Sequence, residues 1–231
     1  LRQVQIPHYR AILFRKTYPQ LSELIDRSRA LYAPAFPEAQ YVESKHCWIF
    51  PSGAKIFFGA MQHSKDKTNY QGKRYDFIGF DELTHFTWEE YSYMFSRNRP
   101  SKNPRSDLRT ICYIRATTNP GGIGHHWVKR LFVDGEYMEG ENKKDYKFIP
   151  ATVDDNPQLL EAAPEYKQML DLLPEEIRRA HRYGDWNALS GCYFDEFSEG
   201  RHTCHSFQIP NEWVRYRSFD YGLDMFACYW I

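Results

Sequence analysis

The feature that most limits what this chain can fold into is the run Tyr75-Asp76-Phe77-Ile78-Gly79-Phe80-Asp81-Glu82. Its centre is short and apolar, compatible with a buried strand, and it delivers two adjacent carboxylates at its end. Leu83-Thr84-His85 follow, and Phe86-Thr87-Trp88-Glu89-Glu90 reads as a helix start. A second strand, Thr110 to Thr118, comes after that helix and ends in Asn119-Pro120-Gly121-Gly122, and a helix is expected from His125 to Phe132. Strand, helix, strand, loop, helix describes an α/β sandwich, in which ligands gather at the carboxyl ends of the strands.

Two chemistries suit adjacent acids at a strand end. One is the Walker B arrangement of ATPases that carry a catalytic glutamate. The first acid then holds Mg²⁺ on the nucleotide phosphates and the second polarises the attacking water. The other is structural: carboxylates favour the positive end of a helix dipole and cap its first turn. The strand tip has the same ambiguity, with Thr118 or Asn119 as a γ-phosphate sensor or the pair Asn119-Pro120 as an ordinary turn.

Composition excludes several classes. The 231 residues are 42% hydrophobic and 17% aromatic, which suits a packed protein and not a disordered one. Formal net charge is zero, so a nucleic-acid surface has to be a local patch. The basic segment from Arg97 to Arg109 suits contacts with DNA phosphates or a trans arginine for a neighbouring subunit's nucleotide, and a solvated loop is expected for most of its members. Cys47, Cys112, Cys192, Cys204 and Cys228 form no Cys-x-x-Cys pair, a pattern that fits reduced thiols. No apolar run has the length of a membrane span, and the first residues do not form a signal peptide.

Taken in order, Leu1 to Pro7 reads as a helix tail, Ala11-Ile12-Leu13-Phe14 as a strand, and Tyr18-Pro19-Gln20 as a helix start. Trp48-Ile49-Phe50 and Lys55-Ile56-Phe57-Phe58 flank Pro51-Ser52-Gly53-Ala54 as a hairpin, and Gln62 to Arg74 reads as a loop. Lys143 to Thr152 is expected as a strand, and Pro164-Glu165 and Pro174-Glu175 each open a short helix. A domain boundary is placed near residues 185 to 192. Beyond it Val214 to Gly222 reads as a strand pairing with Met225 to Ile231, and Asp220 is its sharpest feature. That acid suits either a first ligand of a two-metal nuclease or a turn before Tyr221-Gly222.

Several local patterns are weaker. Gly72-Lys73 lacks the G-x-x-x-x-G-K-[ST] spacing, and no Walker A sequence occurs in the chain. Gly121-Gly122-Ile123-Gly124 resembles a phosphate cradle but is a common turn into a helix. His202-Thr203-Cys204-His205 has no second Cys/His pair at zinc spacing, and His125-His126 reads as helix N-terminal packing.

Together these parts resemble the large terminase subunit of tailed bacteriophages. The resemblance runs through Ile12-Leu13-Phe14-Arg15-Lys16-Thr17-Tyr18-Pro19-Gln20-Leu21, Phe77 to Phe86, Arg115 to Gly124 with Trp127-Val128-Lys129, Leu173-Pro174-Glu175-Glu176 with Arg178, Tyr183-Gly184-Asp185-Trp186, and Phe219-Asp220-Tyr221-Gly222. It implies an ATPase sheet of the P-loop NTPase type (ASCE-like) followed by the start of an RNase H-like nuclease domain. The corresponding boundaries are residues 1–145 for a partial ATPase domain, 146–187 for a helical linker or lid, and 188–231 for the nuclease start.

The same resemblance makes Asp81 the Mg²⁺ residue, Glu82 the catalytic base, and Thr117, Thr118 and Asn119 the coupling motif. Asp220 becomes the first nuclease metal ligand, using Mg²⁺ or Mn²⁺, while Arg15 lies in a family-typical segment without an assigned role. The implied function is ATP-driven packaging of double-stranded DNA into a procapsid, with metal-dependent cutting of concatemers. The implied partners are DNA, a portal protein, a small terminase subunit and further copies in a ring, in the cytoplasm of an infected bacterium. A P-loop is expected upstream of Leu1 and further nuclease acids after Ile231, so the polypeptide is expected to be a fragment, inactive alone. A helicase-like ATPase and a non-enzymatic interaction module that lost its P-loop stand as alternatives.

Overall fold

Alternation along the first strand builds the sheet's two faces. In the computed structural model, which describes residues 3–100, 110–188, 204–221 and 226–230, β1 spans Arg10–Arg15. Ile12 and Phe14 point into one apolar cluster, with Ile78, Phe80, Tyr91 and Met94. Ala11 and Leu13 point into another, with Leu21, Trp48, Ile56 and Phe58. A strand with core on both sides needs apolar residues at successive positions, which accounts for the unbroken run Ala11 to Phe14.

The sheet has six strands in the order β2-β3-β4-β1-β5-β6. They are β2 (Gln40–Val42), β3 (Cys47–Ile49), β4 (Lys55–Ala60), β5 (Phe77–Asp81) and β6 (Tyr113–Thr117). β4, β1, β5 and β6 run parallel, while β2 and β3 are antiparallel at the edge beyond β4. The hairpin expected around Pro51 to Ala54 is therefore the β3–β4 pair. Gly79 is needed because a Cβ there would stand 2.5 Å from Leu13 Cδ2 on the neighbouring strand.

α1 (Tyr18–Ala35) starts with Thr17 as N-cap, Gln20 closing a capping box and Pro19 in the first turn. It lays Leu21, Leu24 and Ile25 on the second cluster, and its buried Ser28 hydroxyl accepts from Trp48 Nε1 at 2.8 Å. α2 (Trp88–Tyr93) begins with a capping box between Thr87 and Glu90 and packs on the first cluster. α3 (His125–Val128) continues as a π-helical turn through Asp134, ended by Gly135 in the left-handed region.

Four expectations need correction. Lys143 to Thr152 is no strand: it holds one 3₁₀ turn at Lys143–Asp145, and residues 146–152 have no regular structure. Its aromatic residues satisfy local packing instead, Tyr146 lying edge-on to Phe132. Residues 3–7 are turns, not a helix tail, since Pro7 denies that segment a helical hydrogen bond. The loop Gln62 to Arg74 contains a 3₁₀ helix at Ser64–Tyr70. The helix after the acid pair is broken into a 3₁₀ turn, α2 and a further 3₁₀ turn at Met94–Arg97.

α4 (Pro157–Ala162), α5 (Tyr166–Asp171) and α6 (Glu175–Tyr183) follow. α5 and α6 match the two proline-led starts, whereas α4 is an additional helix, capped by the Asn156 side chain accepting from Leu159 N. The chain divides into two compact units, Leu1–Ser190 and Gly191–Ile231. In the second, β7 (Arg217–Tyr221) pairs antiparallel with β8 (Phe226–Trp230), and Asp220 stands opposite Ala227 in register. Among the described residues no helix is long and apolar enough to cross a membrane.

Candidate functional site

Parallel register carries three strand ends to one edge. Phe14 pairs with Phe80, and Asp81 with Thr117, so the tips of β1, β5 and β6 stand side by side. β1 also marks a reversal in strand order: the chain passes from β1 to β4 on one side, then returns to β5 on the other. The carboxyl edge at such a reversal is where open α/β sheets bind ligands.

Asp81 is held from both sides. Arg15 Nε and Nη2 each lie 2.7 Å from Asp81 Oδ2, while Thr117 Oγ1 donates to Oδ1 at 2.5 Å. The Asp81 side chain is 25% exposed, so the carboxylate remains open to water. With Arg15 it lines a polar hollow of about 450 Å³ that continues over Gln20, Ser22 and Arg27 of α1.

Glu82 leaves the strand at φ 57°, ψ 61°, in the left-handed region that non-glycine residues rarely enter. Such a backbone costs on the order of 1–3 kcal/mol and persists only where its surroundings enforce it. Here a 3₁₀ turn follows at once, with His85 N donating to Glu82 O at 2.9 Å. Among the described residues no hydrogen-bond partner engages the Glu82 side chain. The helix-cap reading of the acid pair does not apply to α2, whose cap is Thr87.

The β6 tip is tied to this turn. Thr118 Oγ1 accepts from Thr84 N at 3.1 Å and lies 2.9 Å from Thr84 Oγ1, which also reaches Asn119 O at 3.1 Å. Thr117 and Asn119 are exposed, Thr118 half-buried. Gly122 and Gly124 serve close packing: a Cβ on Gly122 would meet Thr84 O at 2.7 Å, and one on Gly124 would strike Phe86 O. The N–H groups of Gly121 and Gly124, which a phosphate cradle would use, are taken by His125 Nδ1 and Thr84 O.

His125 packs at the start of α3 as expected, 4% exposed, its Nδ1 accepting from Gly121 N at 3.0 Å and its ring stacked on Trp186. Burial first, and then neighbouring His126, lower its pKa below 6.5. Behind the edge, Lys16 Nζ contacts both oxygens of Glu90 at 2.8 Å, and Glu90 is fully buried.

Sequence reasoning placed Asp81, Glu82, Thr117, Thr118 and Asn119, and the fold brings all five to one edge. It did not find the Arg15 pairing, the Thr84 contacts or the Lys16–Glu90 pair. Arg15 directly precedes Lys16-Thr17 at a strand end, which was the available signal. Asp220 lies in the other unit, and Cys204 and His205 are exposed there. Arg97 and Arg99 are described, but the arginine-rich segment over 101–109 lies outside the described residues, as do His202 and Thr203. Among the described residues no group of three His, Cys, Asp or Glu converges as a metal cage.

The family model for the terminase large subunit, T4likevirus-type, N-terminal, matches residues 1–201. The chain belongs to this terminase family. No curated protein matches it. Solved structures of the large terminase from a thermophilic bacteriophage share its fold. One in complex with ADP is 19% identical with a TM-score of 0.57, covering 98% of this chain and 53% of that chain. A second crystal form is 18% identical with a TM-score of 0.61, covering 96% and 52%. A third structure, in complex with ATP-gamma-S, is 19% identical with a TM-score of 0.57, covering 94% and 49%. The terminase chain described here thus spans about half the length of those proteins, and its α/β sheet with flanking helices is their fold.

An Mg²⁺ ion fits the Asp81 edge on donor chemistry. Mg²⁺ keeps several waters and is bound through one or two carboxylates plus substrate phosphates, not by an all-protein cage. The partly open Asp81 carboxylate is an oxygen donor of that kind, and such an ion would share it with Arg15 on Oδ2 and the Thr117 hydroxyl on Oδ1.

Proposed function

We propose that this terminase chain carries the hydrolytic edge of a DNA-packaging ATPase. The observation that carries the reading is Asp81 and Glu82 at the β5 tip, with Arg15 and Thr117 on the Asp81 carboxylate, at the strand-order reversal of a terminase-family sheet. Bound Mg²⁺ would neutralise charge on the β- and γ-phosphate oxygens of ATP. Asp81 would hold that ion, with Arg15 and Thr117 fixing the plane of its carboxylate. Glu82, freed from the strand direction by its left-handed backbone, orients the attacking water and takes its proton. The exposed Asn119 contacts the transferred phosphate, and Thr118, bonded to Thr84, passes its loss to the rest of the sheet.

The intact protein would then drive double-stranded DNA into a procapsid in the host cytoplasm, as a ring of copies on the portal with the small terminase subunit. Asp220 on β7 would be the first metal ligand of a nuclease that cuts concatemers, using Mg²⁺ or Mn²⁺. The domain limits that go with this reading are 1–145, 146–187 and 188–231.

The test uses the intact protein. Glu82→Gln keeps the side chain's size and removes the base; nucleotide binding should persist while turnover falls by about 10²–10⁴-fold. Unchanged turnover overturns the assignment. Asp220→Ala should abolish metal-dependent cleavage and spare ATP hydrolysis, and retained cleavage places the nuclease elsewhere.

A further inference from the structure

Thr84 is 2% exposed, and its N–H, hydroxyl and carbonyl are all hydrogen-bonded. Its N–H donates to Thr118 Oγ1, its hydroxyl lies within hydrogen-bond reach of Thr118 Oγ1 and Asn119 O, and its carbonyl accepts from Gly124 N at 2.7 Å. One proton assignment uses all of these contacts. The Thr84 hydroxyl donates to the Asn119 carbonyl, and the Thr118 hydroxyl donates back to Thr84 Oγ1 while accepting from Thr84 N.

Thr84 is also the middle residue of the 3₁₀ turn Leu83–His85, whose N-cap is Glu82. The bonded threonine thus follows two positions after a carboxylate on a left-handed backbone, and His85 N closes the turn onto Glu82 O. The glycines opposite remove the slack, because neither Gly122 nor Gly124 leaves room for a side chain against the Thr84 carbonyl. A shift of the β6 tip therefore moves this turn with it. These bonds oppose relaxation of Glu82 toward an ordinary backbone, together with the turn closed by His85 N and anchored by buried Leu83 and Phe86.

We infer that Thr84 is a positioning residue that holds Glu82 in its hydrolytic pose and makes that pose depend on the Thr118–Asn119 tip. The inference rests on the proposed hydrolytic role of Glu82. Loss of the γ-phosphate contact at Thr118–Asn119 would then release Glu82 through a hydrogen-bonded link, with no contact between Thr84 and the nucleotide.

The experiment is steady-state ATP hydrolysis by the intact protein carrying Thr84→Val, Thr84→Ser, Thr118→Val and the Thr84→Val/Thr118→Val pair, each checked by thermal melting. Thr84→Val keeps the shape and removes the hydroxyl. It should lower kcat by at least about tenfold with KM within about twofold, and Thr84→Ser should restore most of kcat. The double variant should lose little beyond the larger single loss, since both remove one link. Wild-type kcat in Thr84→Val overturns the inference. So does a loss shared equally by kcat and KM that serine does not rescue, or one that multiplies in the double variant. Should Thr84→Val fail to fold, the serine variant and the Thr118→Val comparison decide. Inactive Glu82→Gln with normal Thr84→Val removes only this inference, whereas active Glu82→Gln removes the hydrolytic reading beneath it.

Discussion

Arg15 and Asp81, 66 positions apart in sequence, meet at the tips of adjacent strands, with two guanidinium nitrogens 2.7 Å from one carboxylate oxygen. The pair exists because β1 and β5 are parallel neighbours ending in step. Its charges are partly solvated, so its value for stability is modest.

Arg15→Gln should destabilise the protein by about 0.5–1 kcal/mol at low salt, with a smaller loss at about 0.5 M NaCl, because partly exposed pairs are screened. Urea denaturation at the two salt concentrations measures this. Equal losses at both would mean that Arg15 acts through packing and not charge.

Lys16 and Glu90 form the opposite case. Glu90 is fully buried, takes Lys16 on both oxygens and also accepts from Thr87 N at 2.9 Å. Lys16→Met strands a buried carboxylate and should cost about 3–5 kcal/mol. Lys16→Met with Glu90→Leu should cost clearly less, retaining mainly the loss of the α2 cap, about 1 kcal/mol. A double variant as unstable as Lys16→Met alone would refute the buried-charge account.

Gly122 and Gly53 both have positive φ, +81° and +87°, but only Gly122 has backbone pressed against it. Gly53→Ala should show the conformational cost alone, on the order of 1 kcal/mol. Gly122→Ala adds a collision with the Thr84 carbonyl and should be markedly worse. Matched melting temperatures for the two variants would show that the loop moves aside freely.

His125 should make stability depend on pH. Its pKa is lowered from 6.5, first by burial and then by His126; Lys129 lowers it further, while the Trp186 backbone and Asp134 oppose the shift. The unfolded chain therefore binds the proton more readily, and stability rises with pH. This contribution is complete above about 6.5 and is lost as pH falls through that value toward the lowered folded pKa. Protonation also removes the Nδ1 acceptor from Gly121 N. Urea midpoints measured from about pH 7.5 to about pH 5 should fall less steeply in His125→Phe than in the wild type. Parallel curves would mean that other groups carry the dependence.

Much of the candidate site was readable before the fold, and for a local reason. A strand buried on both faces has to be a continuous apolar run, so the end of β5 is marked by its first polar residues, Asp81-Glu82. The edge strand β6 carries Arg115 and is exposed from there to Thr117, and its end was marked instead by the turn Asn119-Pro120-Gly121. The strand expected at Lys143 to Thr152 failed for the converse reason. A short aromatic and charged stretch has no period of its own, and its packing against neighbours such as Phe132 decided its conformation. The glycine turn at Gly121 to Gly124 looked like a phosphate cradle because glycine marks any close backbone approach, and composition does not reveal what approaches.

The α/β class, the acid pair at a strand end and the terminase resemblance are legible in one dimension, since each is written in contiguous residues. Strand order and register were decided only by the tertiary structure. They bring Arg15 onto Asp81, Thr84 onto Thr118 and Lys16 onto Glu90 across separations of 66, 34 and 74 residues. Contacts at that range depend on which strands become neighbours and where each one stops. No single segment carries that information, because it emerges when the whole sheet buries its two faces together.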